Sequence, residues 1–109
     1  MEINRNSILV IDDDIKHLEF IDYLLKSDET KKILKTSNVP DAISILINQK
    51  IDLILTDYSM PDINGIEFRN MLKSIKRTSK IPVLFMSNYQ LNEIPDCKEI
   101  EIANFIQKP

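Results

Sequence analysis

Residues 51–57 read IDLILTD, which is the most strand-like stretch of the sequence. Apolar side chains follow one another almost without interruption from Ile51 to Leu55, instead of alternating with polar ones. Such a continuous run is typical of a parallel strand that is covered on both faces of its sheet. We therefore predict a central strand over Ile51–Thr56, with the carboxylate of Asp57 directly after it.

Three other short runs also end next to a polar side chain. The runs are Ile8–Ile11, Val83–Met86 and Phe105–Gln107. They are followed by Asp12 and Asp13, by Ser87, and by Lys108, respectively. If the four runs are parallel strands of one sheet, these side chains meet at the edge where open α/β sheets bind ligands.

Strand and helix patterns alternate along the whole chain. We predict strands over Ser7–Ile11, Ile33–Thr36, Ile51–Thr56, Ile81–Met86 and Ala103–Gln107. We predict helices from Asp14 to Lys26, after the turn at Ser37-Asn38, and between Gly65 and Ile75. This alternation implies right-handed crossovers, and therefore an α/β fold with a doubly wound parallel sheet.

Length and composition limit the class of protein. The 109 residues are 43% hydrophobic and 28% charged, which suits one globular domain over residues 1–109. A net charge of -3 gives no field that would attract nucleic acid or anionic lipid. The sequence has neither a signal peptide nor an apolar run that could span a bilayer, so we expect a cytoplasmic protein without a membrane partner.

The polar side chains at the predicted strand ends suit phosphoryl chemistry. Three carboxylates gathered together would repel one another, and each pair ~4 Å apart would cost about 4 kcal/mol at an effective dielectric of 20. One Mg²⁺ ion would remove this conflict, because it takes a few carboxylate oxygens and leaves positions for phosphate. The Lys108 ammonium and the Ser87 hydroxyl can hold phosphate oxygens, and an aspartate can accept a phosphoryl group.

The same stretches resemble bacterial two-component response-regulator receiver domains, the chemotaxis-regulator-like proteins of flavodoxin-like fold. The resemblance spans the whole chain and rests on residues 8–14 (ILVIDDD), 53–65 (LILTDYSMPDING), 83–87 (VLFMS) and 108–109 (KP). It implies a five-stranded sheet in the order 2-1-3-4-5. It also implies a phosphoprotein that acts as a signalling switch, and not as an enzyme.

The resemblance further implies which residues would hold the metal and accept the phosphoryl group. Asp12, Asp13, Asp57 and the backbone carbonyl of Ser59 would bind one Mg²⁺ ion. Asp57 would accept phosphoryl from a histidine kinase, a phosphotransfer protein or a small phosphodonor. A partner or a C-terminal output domain would then detect the resulting conformational change.

Other positions would transmit the signal or tune its duration. By resemblance, Ser87 is the switch hydroxyl, Phe105 is an aromatic that swings inward, and Lys108 binds phosphate and joins Pro109 through a cis peptide. Ser59 and Tyr89 would flank the path of the attacking water, and we predict that Tyr89 lengthens the lifetime of the phosphoryl group.

The chain departs from the family pattern in three places. Asn88 stands where the family has a small residue, and it would slow donor entry or add a hydrogen bond to the phosphoryl group. Ile100-Glu101 and Pro95 predict a short or irregular fourth helix. The sequence stops at Pro109, where receivers continue into a final helix, so we expect a domain truncated at or just after the fifth strand, or a homodimer that covers the bare face.

Two alternative functions remain open at this point. In the first alternative, the chain would be a phosphorylation-independent pseudo-receiver that acts as a docking or dimerisation module. In the second, it would be a fragment of a haloacid-dehalogenase-like phosphatase. The second alternative uses Asp12-Asp13-Asp14 as an Asp-x-Asp motif, although Lys16 and the short chain disfavour it. We expect His17 to be an exposed residue of the first helix, and not a phosphocarrier.

Overall fold

The computed structural model describes residues 6–61, 63–95, 97–101 and 104–108. The strands are β1 (Asn6–Ile11), β2 (Lys31–Thr36), β3 (Leu53–Asp57), β4 (Val83–Ser87) and β5 (Phe105–Gln107). The helices are α1 (Ile15–Leu25), α2 (Val39–Asn48) and α3 (Gly65–Lys73). The described strands form one parallel sheet in the order β2-β1-β3-β4-β5, so the predicted fold class and strand order are confirmed.

β3 begins two residues later than the sequence pattern indicated. Asp52 lies outside the strand, where its backbone N–H donates to the Ser7 carbonyl at 2.8 Å. Its carboxylate accepts the Ser7 N–H, also at 2.8 Å, and thereby anchors the start of β3 beside β1. Ile51 is nevertheless buried, which explains why it extended the apolar run in the sequence.

Polar side chains cap the helices in the turns that follow the strands. Asp14 caps α1, because its carboxylate accepts the N–H groups of Lys16 and His17. Asn38 caps α2 through the Asp41 N–H, and Asn64 and Glu67 form a capping box at the start of α3. Each cap satisfies backbone donors that the first helical turn leaves without a partner.

The sheet separates two hydrophobic clusters. The larger one contains the inward side chains of α2 and α3 together with Leu9, Ile54 and Phe85. The smaller one lies under α1 and is centred on Val10 and Met86. On this α1 face, an apolar groove of about 200 Å³ runs between the helix and β5. The described part of the chain leaves three of its large side chains exposed, namely Phe20, Leu24 and Ile106.

The region of the fourth helix is irregular, as predicted. It contains two short 3₁₀ turns, Leu91–Glu93 and Cys97–Glu99. Ile94 and Ile100 are buried in the larger cluster, so apolar contacts anchor the segment, although its described residues form no regular helix. Two sequence predictions, a fifth strand that starts at Ala103 and a cis peptide before Pro109, lie outside the described residues.

The prediction for His17 on α1 was wrong. Ile15, the first residue of the helix, is 61% exposed. His17 was expected to be exposed, but only 12% of its side chain is accessible to solvent. The helix turns Leu18 and Ile21 toward the sheet, and His17 lies four residues before Ile21 on the same side.

Candidate functional site

The sheet register brings the predicted polar side chains to one edge. Asp12 directly follows β1, Asp57 is the last residue of β3, and Ser87 is the last residue of β4. Lys108 follows β5, and its backbone N–H donates to the Ser87 carbonyl at 2.7 Å. The site is therefore built by the parallel pairing of the strands, which aligns their carboxyl ends.

Three carboxylates form the acidic part of this site. Asp12, Asp13 and Asp57 each offer one oxygen, and these oxygens all lie within 4.8 Å of one another. Asp12 and Asp57 are buried, whereas Asp13 is exposed and keeps the cluster in contact with solvent. Oxygen ligands at this spacing suit a small hard cation such as Mg²⁺.

Lys108 lies against the two buried carboxylates. Its Nζ is 2.9 Å from Asp12 Oδ2 and 3.2 Å from Asp57 Oδ2. Only 6% of the lysine side chain is exposed to solvent. Because a buried ammonium is stable only beside negative charge, the lysine and the carboxylates hold one another in place.

The two buried carboxyl groups have opposite pKa shifts. Burial tends to raise the pKa of Asp12, but hydrogen bonds from the Asp14 N–H, Lys108 and His17 outweigh it and leave that pKa below the ordinary value. Burial raises the pKa of Asp57, and the charge of Asp12 adds to the rise, against a partial opposing effect of Lys108. The negative charge of Asp57 is therefore less fully compensated by donors than that of Asp12. Asp57 accepts one backbone N–H, from Ser59 at 3.3 Å.

The two buried carboxylates also shift the pKa of Lys108. Burial alone would lower its pKa, but the hydrogen bond to Asp12 and the charges of Asp57 and Asp12 reverse that effect. The pKa of the lysine therefore lies above its ordinary value. The ammonium stays protonated at every physiological pH, and so it is available as a fixed positive partner for a phosphate oxygen.

Asp57→Asn is expected to be more stable than the wild type at neutral pH in buffer free of divalent ions. The raised pKa of Asp57 means that its ionised form is disfavoured by folding. The stability difference should therefore be absent in acid, where Asp57 is protonated in both states. It should grow as pH rises through the ordinary carboxyl range and be complete above the raised pKa of Asp57. Thermal unfolding of both proteins across this pH range measures the stability difference. We expect the Tm of Asp57→Asn to be a few degrees higher than that of the wild type at neutral pH.

Asp28→Asn provides a control of opposite sign. The hydroxyl and the N–H of Thr30 both donate to the Asp28 carboxylate and lower its pKa. Ionised Asp28 therefore favours folding, and its removal should reduce the Tm above the ordinary carboxyl range. If Asp57→Asn lost stability in the same direction as Asp28→Asn, the charge conflict at Asp57 would be refuted.

The other predicted residues lie in or around this edge of the sheet. Ser87 is buried, and its Oγ accepts the Tyr89 N–H at 3.0 Å. Asn88 and Tyr89 follow on the surface, with Tyr89 58% exposed. Ser59 is exposed and forms an isolated antiparallel bridge with Asn64 in the loop after β3.

Phe105 lies on β5, at some distance along the chain from the acidic residues. It is partly buried and packs against the larger hydrophobic cluster. It pairs with Phe85 in the register of β4 and β5. The Phe85–Phe105 pair thus connects β5, which leads to Lys108, with β4, which ends at Ser87. The inward swing of the Phe105 ring stays a prediction.

One residue of the site was missed by the sequence analysis. The Nδ1 atom of His17 contacts Asp12 Oδ2, the same oxygen that accepts the Lys108 ammonium. A signal was available, because His17 lies four residues before the buried Ile21 and in the first turn after the acidic loop.

The structure contains no helix long and apolar enough to cross a bilayer within its described ranges.

Sequence comparison places the chain among signalling proteins. Residues 8–109 match the family described as the response regulator receiver domain. The transcriptional regulatory protein FlgR of Helicobacter pylori is 26% identical over 102 residues, which cover 94% of this chain and 26% of FlgR. The two-component response regulator ARR5 of Arabidopsis thaliana is 30% identical over 115 residues, which cover 94% of this chain and 62% of ARR5. The chain thus spans less than two thirds of either curated relative.

Solved structures share the fold. The chemotaxis response regulator CheY4 of Vibrio cholerae has a TM-score of 0.82 at 20% identity, over 96% of this chain and 88% of that chain. A response regulator from Desulfuromonas acetoxidans has a TM-score of 0.77 at 27% identity, over 95% of this chain and 85% of that chain. With the family match over residues 8–109, the chain belongs to the response regulator receiver domains of two-component signal transduction.

Proposed function

We propose that this receiver domain is a phosphoacceptor switch in which Asp57 receives a phosphoryl group in a Mg²⁺-dependent reaction. The observation that supports this most strongly is the position of Lys108 Nζ, 2.9 Å from Asp12 Oδ2 and 3.2 Å from Asp57 Oδ2. A cation beside two buried carboxylates, with Asp13 at the solvent side, provides charges of both signs for a phosphoryl group.

The transfer step uses Asp57 as a nucleophile. A carboxylate oxygen of Asp57 forms a bond to phosphorus while the bond from phosphorus to the donor's leaving group breaks, which gives an aspartyl phosphate. Asp12, Asp13, Asp57 and the Ser59 carbonyl would hold Mg²⁺, which would supply neutralisation of the phosphoryl oxygens. Lys108 supplies a second positive charge from the β5 side. Phosphoryl transfer requires mainly this positioning and neutralisation.

The phosphoryl group would act as the signal because of its charge. It brings close to two negative charges into a site that already holds buried carboxylates. The Ser87 hydroxyl, whose Oγ now accepts the Tyr89 N–H, can turn its own hydrogen toward a phosphoryl oxygen. Lys108 would move from Asp57 to the phosphoryl group, and Phe105 would follow through β5. The altered surface would include the 3₁₀ turns and β5.

Residues at the mouth of the site would set the lifetime of the phosphoryl group. Tyr89 and Asn88 are exposed directly after Ser87, and Ser59 is exposed after Asp57. All three residues lie within two positions of Asp57 or Ser87 along the chain. We therefore assign Ser59, Asn88 and Tyr89 to the control of water and donor access.

The partners follow from family membership. Receiver domains interact with histidine kinases and output domains, and we extend this to a cognate histidine kinase or phosphotransfer protein in the cytoplasm. The relatives are longer than this chain, which supports an output domain as the element that detects the change. A homodimer partner is the alternative that we propose. The comparisons favour neither the pseudo-receiver nor the phosphatase alternative.

Beryllofluoride, a stable mimic of the phosphoryl group, tests the proposal. Uniformly ¹⁵N-labelled protein is expected to show large amide shifts at Asp57, Ser87 and Lys108 when Mg²⁺ and beryllofluoride are added together. Either reagent alone serves as the control and should leave the Ser87 amide near its starting position. An unchanged spectrum with both reagents present would favour a pseudo-receiver.

A further inference from the structure

His17 of α1 contacts the acidic cluster through its imidazole ring. It lies in the first turn of α1, with 12% of its side chain exposed. Its Nδ1 contacts Asp12 Oδ2, and Asp12 itself is fully buried. An ionised carboxylate offers only hydrogen-bond acceptors, so Nδ1 must carry the hydrogen and donate it.

The backbone around His17 fixes this contact from both ends. Asp12 Oδ1 accepts the Asp14 N–H at 2.9 Å. Asp14 in turn caps α1 and accepts the N–H of His17 at 3.4 Å. The acidic loop and the first turn of α1 are therefore one hydrogen-bonded unit, in which the imidazole closes the ring back to Asp12.

The Asp12 carboxylate keeps one acceptor direction that a metal ion can use. The two oxygens of a carboxylate offer about four lone-pair directions. Within the described part of the chain, Oδ2 accepts from His17 and Lys108, and Oδ1 accepts from the Asp14 N–H. The direction that remains is on Oδ1, so the donors orient the carboxylate for one ligand bond.

We infer that His17 is a positioning residue, whose Nδ1–H holds the Asp12 carboxylate so that Oδ1 can bind the cation. This inference rests on the proposed function, because it concerns the same magnesium site. Lys108 cannot perform this task alone, since its Nζ is shared with Asp57 and would move to the phosphoryl group. The imidazole and the Asp14 N–H keep Asp12 in place during that movement.

The contact can be observed directly, because His17 is the single histidine of the chain. In ¹⁵N-histidine-labelled protein, all imidazole signals belong to this residue. At neutral pH, Nδ1 should show the shift of a protonated nitrogen, and this should disappear or move in Asp12→Asn. A neutral ring with its hydrogen on Nε2 alone would overturn the inference, since Nδ1 could not then donate.

Two substitutions separate positioning from packing. His17→Leu removes the donor but fills the same space beside the apolar groove lined by Phe20 and Leu24, so the variant should fold. His17→Asn restores a donor, because the side-chain NH₂ of asparagine is bonded to Cγ just as Nδ1 is. Loss of a hydrogen-bond partner to a metal ligand typically costs about 10- to 100-fold in metal affinity. His17→Leu should therefore bind Mg²⁺ at least about 10-fold more weakly, and His17→Asn should recover most of the loss.

Calorimetric titration with Mg²⁺ alone measures these affinities without phosphorylation, and thermal unfolding confirms that each variant is folded. Equal affinities in the wild type and both variants would overturn the role of His17 and leave the proposed function intact. Equal losses in both variants would also overturn it, because the effect would then come from packing. A wild type that binds no Mg²⁺ would overturn the proposed function and the role of His17 together.

Discussion

Replacing Asp57 with asparagine is expected to reduce phosphoryl incorporation from acetyl phosphate by at least about 1000-fold, because the nucleophilic oxygen is lost. Asp57 sits at the end of β3 with its side chain beside Lys108, whereas the Asp12 carboxylate already accepts hydrogen bonds from three donors. The asparagine amide has similar size and can still accept a hydrogen bond. Intact-mass analysis after incubation with Mg²⁺ and acetyl phosphate measures the incorporated phosphoryl group.

Asp13→Asn is the matched control for this substitution. It removes one carboxylate from the same cluster but leaves Asp57 in place. Phosphorylation of this variant should remain detectable and should require a higher Mg²⁺ concentration. Undiminished incorporation into Asp57→Asn would show that another residue is the acceptor.

Replacing Lys108 with methionine is expected to change metal binding and phosphoryl transfer in opposite directions. Without the ammonium, Asp12 and Asp57 lose the cation that now neutralises them, and Mg²⁺ should bind about 10-fold more tightly. The phosphoryl oxygen loses its positive partner, so the transfer rate at saturating Mg²⁺ should fall about 100-fold. Mg²⁺ titration and a time course of phosphorylation measure the two effects separately.

Lys35→Met serves as the control for this experiment. Lys35 pairs with Asp22 at 3.0 Å on the surface, where both side chains are more than a third exposed. An exposed ion pair contributes little, so both quantities should stay near the wild-type values. Parallel losses of Mg²⁺ affinity and transfer rate in Lys108→Met would contradict the account, because they would indicate a collapsed site.

Much of the fold could be predicted because local patterns and global topology agree. The continuous apolar run before Asp57 is that of a strand covered on both faces, and it became the middle strand of the sheet. Pro95 and Ile100-Glu101 indicated an irregular fourth helix, which the two 3₁₀ turns confirm. Strand ends were less accurate, as at Asp52, because hydrogen bonds to a neighbouring strand decide where a ladder begins.

The convergence of the site residues was also accessible from the sequence. In a parallel sheet, side chains that follow each strand share one edge, whatever their separation along the chain. Asp12, Asp57 and Lys108 meet there with distances of a few ångströms.

Two features of the site required the three-dimensional structure. The rotation of α1 about its axis decides whether His17 faces solvent or Asp12, and a rotation of one residue position reverses the outcome. The opposite pKa shifts of Asp12 and Asp57 depend on how many donors reach each carboxylate. Neither quantity is encoded in residue spacing alone, because both depend on packing between elements.

Chemical trapping of the acyl phosphate tests the central claim most directly. Wild-type protein is incubated with Mg²⁺ and acetyl phosphate and then treated with borohydride, which reduces an aspartyl phosphate to homoserine. Peptide mass analysis should locate homoserine at position 57, and omission of Mg²⁺ should prevent its formation. Homoserine at another aspartate, or none at all in protein that is folded and binds Mg²⁺, would contradict the proposed switch.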